Sequence, residues 1–583
     1  MHIRYGRAGI MKKHEKKFNG TEPWRTDLSR ICAHFSRYAE WWILGLGVFL
    51  RLKHFFENNS LWLDESWVAA SAASRSFGEI LFHRQIMPEF PEPPTVFFLI
   101  EKAFLSAFGN NEMALRFFPL LAGIVGLGAF FFLSRKILSR RDSLLALTLF
   151  SIAEPLVYYS AEVKQYSSDL CAAVFLFLFA DHCLRFARIR GREIVFLALI
   201  GAGVVWISYP SIIVLLAIAL LFFIRFFVER DRKLLGALAA AVLCWFSSFW
   251  LLYKVSLGAM DSSAPLKGMW KGAMLASSLV SFETFSWLGR ILNAAFQDPL
   301  SFAWPVIGWA LFSLGVFSFW QNDRGRTILF LLPVVITLVA AMAGKYPFQG
   351  RMLLFLVPSG YIFISSGFGF LVDRSGRWKR FAVGALLVVI LISPVSEALA
   401  KFSQGRSRAD NRQALQFLQD HFEAGDFIYM NTSAQPPFWY YAGSLGLGEM
   451  FPQQVFGVYK DGPQKAMKIG KFGRFTGEDE SGKFLAFRYE YNSFDDHGLF
   501  QGTFGFNYDK LNFGKVPVGG SYQYPASGRT WLFLSAGDDY DNELNAMILD
   551  SFDQGLKRSL FYEGKNAAVY LYDIPVPSAE KGK

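Results

Sequence analysis

The chain has 583 residues, of which 52% are hydrophobic, 17% are aromatic and only 18% are charged. Soluble domains typically carry about 25% charged residues, so this composition excludes a disordered chain and predicts several membrane spans with a soluble part attached. The net charge is +11, but residues 401–583 hold 19 Lys or Arg and 22 Asp or Glu. The basic excess therefore belongs to the apolar part of the chain, which is typical of membrane topology and excludes a nucleic-acid-binding surface of the usual kind.

The N-terminal segment, residues 1–37, is polar and basic and lacks the short apolar core and cleavage site of a signal peptide. We expect it to be a cytoplasmic tail that precedes a retained first span. Eleven apolar runs long enough to cross a bilayer follow. They cover roughly 38–56, 113–133, 143–160, 169–186, 193–209, 211–228, 234–252, 301–320, 327–343, 351–371 and 381–398.

Basic side chains concentrate in alternate loops between these runs, and examples are Arg135, Arg140, Arg188, Arg232, Arg326 and Arg374. Cytoplasmic loops carry such an excess, so we expect the N-terminus inside a plasma or inner membrane and residues 401–583 outside it. The first outer loop, about 57–112, is long and acidic, and its apolar stretch 94–108 predicts an interfacial helix.

The sequence after residue 400 changes character. A helical pattern covers 411–422 and another starts at Pro436, while 426–431, 531–534 and 567–572 are typical of strands and 542–552 of a helix. The predicted fold is thus a mainly α-helical polytopic membrane protein, with a transmembrane domain at 38–400, interfacial helices in its outer loops, and a soluble α/β domain at 401–583. The acidic run Asp538–Asp541 is interpreted as an acidic cap at a helix N-terminus, and cation binding is the alternative.

Two adjacent carboxylates, Asp64 and Glu65, follow the first predicted span directly. Adjacent side chains point in different directions, so one of them can face a reacting atom while the other orients it or binds something else. The alternative is an ordinary solvated end of an acidic loop. Their place in a long outer loop favours a functional interpretation.

A second polar cluster, Tyr158–Tyr166, lies in the predicted outer turn after the third span and includes Glu162, Lys164 and Tyr166. Ionisable groups at membrane depth are costly unless they are used, so these residues are candidates for the wall of a cavity. The alternative is that they anchor a helix end.

A third cluster, Lys345 to Arg351, forms a turn between two spans. Two cations on a turn that contains Gly and Pro can bind a phosphate at the membrane face, and snorkelling to lipid headgroups is the alternative. Arg51 and Arg116 also lie near outer helix ends, where we interpret them as structural anchors.

Metal and nucleotide motifs are absent from the sequence. His54 and His83 flank the acidic loop without metal-ligand spacing, and the four cysteines suggest no zinc site. No Gly-rich phosphate loop is present, which argues against an ATP-driven pump.

The order and spacing of several motifs give the chain a resemblance to a known group. They are Leu61–Glu65 after the first span, Pro93-Pro94, Phe108-Gly109, Ala114–Arg116 and Tyr159–Tyr166. In these features the chain resembles the glycosyltransferase C superfamily, specifically the polyprenyl-phosphate-sugar-dependent transferases that include protein O-mannosyltransferases and aminoarabinose transferases.

The resemblance implies an integral-membrane glycosyltransferase in which Asp64 matches the catalytic acidic residue. In such a reaction a carboxylate accepts the proton of the acceptor hydroxyl, and Glu65, Glu162 and Tyr166 would support it or contact substrate. Lys345, Arg351 and Lys164 are the candidates for binding the donor phosphate. The expected partners are a polyprenyl-phosphate sugar, a lipid, glycan or protein acceptor, and membrane lipids.

Cofactors and competing functions complete these expectations. No cofactor is required by this chemistry, no metal ligands are assigned, and participation of a divalent cation is left open. Two other functions fit the same sequence, namely a transporter or flippase of lipid-linked sugars and a non-catalytic factor for envelope polysaccharide assembly.

Overall fold

A computed structural model describes most of the chain up to residue 445 and shorter pieces beyond it. The described residues are 23–82, 92–185, 191–257, 270–275, 281–376, 379–423, 426–445, 455–456, 467–468, 473–474, 490–492, 501–503, 528–537 and 556–574, with isolated positions in 542–553. The predicted helix at 542–552 and the acidic run at 538–541 fall mostly outside these residues.

Helices dominate the described part of the chain. The α-helices are α1 (Pro23–Glu57), α2 (Leu63–Ser74), α3 (Phe77–Leu81), α4 (Thr95–Phe108), α5 (Glu112–Ile137), α6 (Arg140–Ile152), α7 (Glu154–Tyr158), α8 (Tyr166–Leu184), α9 (Gly191–Val204), α10 (Ser211–Glu229), α11 (Arg232–Leu252), α12 (Phe282–Gln297), α13 (Pro305–Asn322), α14 (Arg324–Met342), α15 (Val357–Asp373), α16 (Lys379–Gln404), α17 (Asn411–His421) and α18 (Gln435–Ser444). Short 3-10 helices cover Tyr159–Ala161 and Gly350–Leu356.

Seven helices in the described residues are long and apolar enough to cross a membrane, and an eighth is added if the bent pair α6–α7 counts as one span. The chain is therefore a multi-pass membrane protein, but the predicted count of eleven spans is not confirmed. The segments at 38–56, 193–209 and 301–320 are helical without being among these seven. Helix α9 has 14 residues, which at 1.5 Å per residue is about 21 Å and shorter than a hydrocarbon core of about 30 Å.

The bend between α6 and α7 depends on Pro155 and Arg51. Pro155 has no N–H to donate to the carbonyl of Ser151 four residues earlier, so the helix breaks there. The guanidinium of Arg51, completely buried on α1, donates instead to Ser151 O at 3.2 Å and to Phe150 O at 3.3 Å. The two segments meet at 57°, which turns Tyr158 and its neighbours away from the axis of α6. Arg51 is thus a structural anchor, as predicted.

Glycines allow α13 and α15 to pack backbone against backbone. A Cβ added at Gly315 would lie 1.8 Å from Phe363 O, and one at Gly367 would lie 1.9 Å from Leu311 O. Only a residue without a side chain fits at either point, which is how membrane helices commonly approach each other closely.

The C-terminal region contains a five-stranded sheet in the order β2-β1-β7-β9-β8. Strand β1 pairs in parallel with β2 and β7, whereas β9 pairs antiparallel with β7 and β8. The described strands are β1 (Phe427–Met430), β2 (Val455–Phe456), β3 (Met467–Lys468), β4 (Gly473–Arg474), β5 (Glu490–Asn492), β6 (Gln501–Thr503), β7 (Gly528–Ser535), β8 (Arg558–Gly564) and β9 (Ala567–Ile574). Helices α17 and α18 and strands β1, β7 and β9 form where the sequence pattern predicted them.

The sheet does not bury its apolar face within its own domain alone. One continuous core contains Val68 of α2 and Phe98 of α4 together with Leu415, Phe438 and Trp531 of the C-terminal region. Helices α2 and α4 supply part of the cover that a small sheet needs, because a sheet of this size cannot enclose a core by itself. The two regions that the sequence separates are therefore packed as one unit.

The fold predicts that Asp181, at the C-terminal end of α8, is a stabilising ionic centre. Its fully buried carboxylate pairs with Arg326 at 2.7 Å, Lys136 at 2.9 Å and Arg185 at 3.3 Å. Asp181→Asn leaves these cations uncompensated and is expected to lower stability by about 1–3 kcal/mol, since the cations are partly hydrated. A thermal melt in detergent measures this, with Glu229→Gln in an exposed pair as the control, and an unchanged melting temperature would contradict it.

Candidate active site

The carboxylates Asp64 and Glu65 lie in the first turn of α2. Trp62 is in an extended conformation and forms the N-cap, so the helix begins at Leu63. Negative side chains in a first turn interact favourably with the positive end of the helix dipole. Glu65 also accepts the backbone N–H of Trp62 at 3.5 Å.

Glu65 is a structural carboxylate. It is 2% exposed, and its two oxygens accept from Nε of Arg116 at 3.0 Å and from Nη2 at 2.9 Å. The backbone N–H of Val163 donates to the same carboxylate at 3.0 Å. This bidentate pair fixes α2 against α5 and against the turn that carries Glu162, so Arg116, interpreted as an anchor from the sequence, has this carboxylate as its partner.

Asp64 points in another direction and meets Arg351. The distance between Asp64 Oδ2 and Arg351 Nη2 is 2.7 Å, and the side chains are 24% and 18% exposed. Burial raises the pKa of Asp64, but the positive charges of Arg351, Lys164 and Arg408 outweigh it and hold that pKa below its usual value. Asp64 is therefore ionised at neutral pH and remains partly accessible.

Arg351 reaches this position because the chain turns sharply at Gly350. The φ of Gly350 is +48°, and a Cβ there would lie 2.9 Å from the carboxylate of Asp298. A glycine is needed on both counts. The 3-10 helix that follows carries Arg351 back toward α2.

Aromatic rings surround the guanidinium of Arg351. Its Cζ lies 5.7 Å from the ring of Trp62, 5.7 Å from that of Tyr166 and 5.8 Å from that of Trp270. Cation–π contacts of this kind hold an arginine in place and leave its N–H groups to bind anions. Among the described residues none pairs with its buried Nε.

Glu162 lies beside this ring cluster and is almost completely buried. The indole Nε1 of Trp62 donates to its Oε1 at 3.1 Å, and no described residue bonds its Oε2. Burial raises the pKa of Glu162 to about 7, although the charges of Arg408 and Arg351 oppose this rise. Glu162 is thus a group that can hold or release a proton near neutral pH.

The two predicted lysines occupy different environments. Lys164 is 7% exposed, and burial lowers its pKa while Asp64 and Glu162 raise it. Lys345 is exposed in the turn after α14. The cation that pairs with Asp64 is Arg351, and Lys164 is the second predicted cation that acts on it electrostatically.

The C-terminal region holds the segment before Asp64 in place, which the sequence did not predict. Leu61 N donates to the hydroxyl of Tyr441 at 2.8 Å, and Asn411 Nδ2 donates to Leu61 O at 2.9 Å. Tyr441 in turn donates to Glu112 at 3.0 Å, and Arg412 donates to the same carboxylate at 2.7 Å. Residues more than 300 positions away therefore fix the backbone that precedes Asp64.

An apolar groove of about 730 Å³ lies along one face of α8, between α5 and α9. It follows α8 from Ser168, two residues after Tyr166, to His182 near the opposite end of the helix. Fourteen residues of helix correspond to a length of about 21 Å. Its walls include Phe118, Val125, Phe175, Phe179, Phe196 and Ile200.

Metal-ligating side chains do not cluster in the described part of the chain. No group of three or more His, Cys, Asp and Glu side chains there is arranged to hold a metal ion. The charges at the site are those of its carboxylates, arginines and lysine.

Residues 91–251 match the family model described as dolichyl-phosphate-mannose-protein mannosyltransferase. This match confirms the resemblance to polyprenyl-phosphate-sugar-dependent transferases that the motifs predict. The matched segment contains Glu162, Lys164 and Tyr166. It begins after Asp64 and ends before Arg351, so it does not include the ion pair.

Similarity in fold to solved structures extends further along the chain. Archaeal oligosaccharyltransferase AglB from Archaeoglobus fulgidus, in complex with an inhibitory peptide and a dolichol-phosphate, is 13% identical with a TM-score of 0.43 over 67% of this chain, which spans 58% of that one. ArnT from Cupriavidus metallidurans is 10% identical with a TM-score of 0.48 in the apo state, over 91% of this chain and 98% of that one. The same enzyme bound to undecaprenyl phosphate is also 10% identical with a TM-score of 0.48, over 91% and 97%. A comparison with curated protein sequences gives no match.

The contacts around Leu61 predict different effects for two neighbouring tyrosines. Tyr441→Phe removes a hydroxyl that both accepts from Leu61 and donates to Glu112, and we expect a loss of about 1–3 kcal/mol in stability together with reduced activity. Tyr440 is equally buried, but no described residue bonds its hydroxyl. Tyr440→Phe should therefore leave the melting temperature unchanged or slightly raised, and equal effects of the two substitutions would contradict this account.

The proton affinity of Glu162 predicts a pH-dependent stability. Because its pKa is about 7 in the folded protein, against an ordinary value of 4.5 for a glutamate, the folded state binds the proton more tightly than the unfolded chain does. The resulting stability is fully present below pH 4.5 and is lost as the pH rises through 7. In Glu162→Gln this loss is absent. As the pH rises from 5 to 8, the melting temperature of the wild type should therefore fall relative to that of the variant. The corresponding change in the free energy of unfolding is about 3 kcal/mol.

Exposed Glu423 provides the control for this measurement. Glu423→Gln should follow the wild type across the same pH range. Parallel pH profiles for Glu162→Gln and the wild type would show that Glu162 is not protonated in the folded protein.

Proposed function

We propose that this protein is an integral-membrane glycosyltransferase that moves a sugar from a polyprenyl-phosphate donor to an acceptor outside the cytoplasm. The observation that supports it best is the ion pair of Asp64 with Arg351 at 2.7 Å, partly accessible and surrounded by aromatic rings. The family match over 91–251 supports the same class. The acceptor is a lipid, a glycan or a protein.

The charges at the site favour an anionic ligand. Glu65 is neutralised by Arg116, and Asp64 by Arg351. Glu162 is partly protonated near neutral pH, because burial raises its pKa to about 7. Lys164 has no carboxylate within 4.0 Å among the described residues. A phosphate on Arg351 and Lys164 would balance this positive excess.

The reaction assigns a role to each of these groups. The acceptor hydroxyl attacks the anomeric carbon, the bond from that carbon to the phosphate oxygen breaks, and the hydroxyl proton passes to Asp64 as general base. The leaving lipid phosphate keeps the negative charge and is stabilised by Arg351 and Lys164. When phosphate engages Arg351, Asp64 loses its counterion, so its pKa rises and it becomes a better base.

Glu65, Glu162 and Tyr166 act in support. Glu65 orients α2 through Arg116. Glu162 receives the indole N–H of Trp62 and is too buried to reach an acceptor directly. The ring of Tyr166 bears on Arg351. Lys345 is exposed nearby and stays a candidate for the phosphate of the approaching donor.

The apolar groove suits the lipid part of the donor. It runs about 21 Å along α8 from Ser168 to His182, and its apolar walls suit an isoprenoid chain. The ionic centre around Asp181 lies at the other end of α8. We therefore propose that this basic end is cytoplasmic, that the N-terminus is cytoplasmic too, and that the site and the C-terminal region face outward from the cell membrane.

The proposed chemistry requires no cofactor. A chelator added to the purified protein tests whether a divalent cation supplies part of the charge at the site. If activity is retained with the chelator, the arginine and lysine side chains alone stabilise the leaving phosphate.

The central prediction concerns Asp64. Asp64→Asn keeps the size of the side chain and removes the base, so we expect sugar transfer to fall by at least about 100-fold with the fold intact. The assay uses purified protein with polyprenyl-phosphate sugar and mass-spectrometric detection of the transferred sugar. Asp420→Asn, on the exposed face of α17, is the matched control.

Four outcomes of this assay, combined with a flipping assay in vesicles, distinguish the functions. Transfer lost only in Asp64→Asn supports the proposal. Transfer by the wild type that persists in Asp64→Asn would remove Asp64 as base. Movement of the lipid-linked sugar across vesicles without transfer would indicate a flippase, and neither activity would leave a non-catalytic assembly factor.

A further inference from the structure

The chain re-enters the site after its last long helix. Helix α16 ends at Gln404, and Gly405 turns the backbone with a φ of +76°. Arg406 is anchored by Glu154, whose carboxylate oxygens lie 3.1 and 3.0 Å from Arg406 Nε. The next arginine, Arg408, is thereby directed at the aromatic cluster.

Arg408 is held between two rings. Its Cζ lies 4.3 Å from the ring of Trp62 and 4.3 Å from the ring of Tyr158, and its Nη2 donates weakly to the hydroxyl of Tyr159 at 3.4 Å. Among the described residues it has no carboxylate within 4.0 Å. Because no carboxylate contacts the guanidinium directly, its N–H groups can donate to an anionic ligand.

Arg408 and Arg351 share one aromatic neighbour. Both guanidinium groups lie over the indole of Trp62, at 4.3 and 5.7 Å, and Trp62 is two residues before Asp64. Both charges act on Asp64 and on Glu162. The arginine from the C-terminal region therefore belongs to the same electrostatic site as the one from the membrane domain.

We propose that Arg408 is an anion-binding residue of the active site and that, together with Arg351, it binds the phosphate of the lipid donor. The inference rests on the proposed function, because it takes the ligand to be a polyprenyl phosphate. The C-terminal region then completes the active site chemically, and its contacts with Leu61 also set the position of the loop that carries Asp64.

The alternative role for Arg408 is structural, as a platform that only orients Trp62. The two roles respond differently to substitution. Arg408→Lys keeps the charge and loses the planar stacking, whereas Arg408→Gln loses the charge. A phosphate-binding role predicts partial retention of binding in the lysine variant, and a purely structural role predicts equal effects.

The test measures binding of undecaprenyl phosphate and of undecaprenol to the full-length protein in detergent. The change in Trp fluorescence reports the binding. We expect Arg408→Gln to weaken binding of the phosphate by about 10- to 100-fold, which is the usual effect of losing one charged hydrogen bond. Binding of undecaprenol, which lacks the phosphate, should be unchanged. Arg558→Gln removes an arginine from an exposed pair in the same region and should behave as the wild type.

A second measurement uses the wild type alone, so it does not depend on whether the variants fold. Phenylglyoxal modifies accessible arginines, and mass spectrometry of the peptide containing Arg408 follows the rate. Undecaprenyl phosphate should slow this modification at least several-fold, and undecaprenol should not.

The outcomes distinguish an error in the proposed donor from an error in the role of Arg408. If the wild type binds no undecaprenyl phosphate, the proposed donor is wrong and the role of Arg408 is wrong with it. If the wild type binds it while Arg408→Gln binds equally well and phenylglyoxal modification is unaffected, only the role of Arg408 is overturned. Equal loss in the lysine and glutamine variants, without protection by the lipid, would assign Arg408 to positioning Trp62.

Discussion

The buried ion pair between Glu65 and Arg116 is the interaction on which the geometry of the site depends. It joins α2 to α5 and, through the N–H of Val163, to the turn that carries Glu162 and Lys164. Because Glu65 is used in this way, its neighbour Asp64 is free to face Arg351. A bidentate pair shielded from water is directional and costly to break from one side, so it fixes the orientation of α2 more firmly than apolar packing would.

Around this fixed point the charges fall into two kinds. The pairs of Glu65 with Arg116 and of Glu154 with Arg406 hold elements together. The groups around Trp62 are less completely compensated and are placed where a ligand can reach them. Aromatic rings supply most of the contacts to the arginines there, which keeps these cations in position without neutralising them. The division follows from exposure, because the pair of Glu65 and Arg116 is buried whereas Asp64 and Arg351 are 24% and 18% exposed.

The sequence predicted several of the side chains that lie together at this site, but not the tertiary contacts that bring them together. Asp64, Glu162 and Arg351 were recognised because carboxylates and cations in outer turns of an apolar chain are expensive and therefore informative. Arg408 was missed because its surroundings in sequence are ordinary polar residues after a span, and only tertiary contact with Trp62 reveals it. Strand β8 was missed for a related reason, since it is an edge strand whose apolar run, Leu560–Tyr562, is only three residues long. The number of spans was harder still, because short helices such as α9 look longer in hydropathy than they are in structure.

The shared core of α2, α4 and the C-terminal sheet has a consequence for biosynthesis. Val68 and Phe98 leave the ribosome long before Trp531, which they pack with in the finished protein. At roughly 5–20 residues per second, more than 400 intervening residues take about 20 to 90 seconds to synthesise. During that interval the apolar faces of α2 and α4 lack this part of their partner, so the C-terminal sheet must dock onto helices made much earlier. A truncated or stalled product would consequently expose these apolar faces to lipids and chaperones. Chaperones would then detect the loss of the C-terminal sheet by binding to α2 and α4.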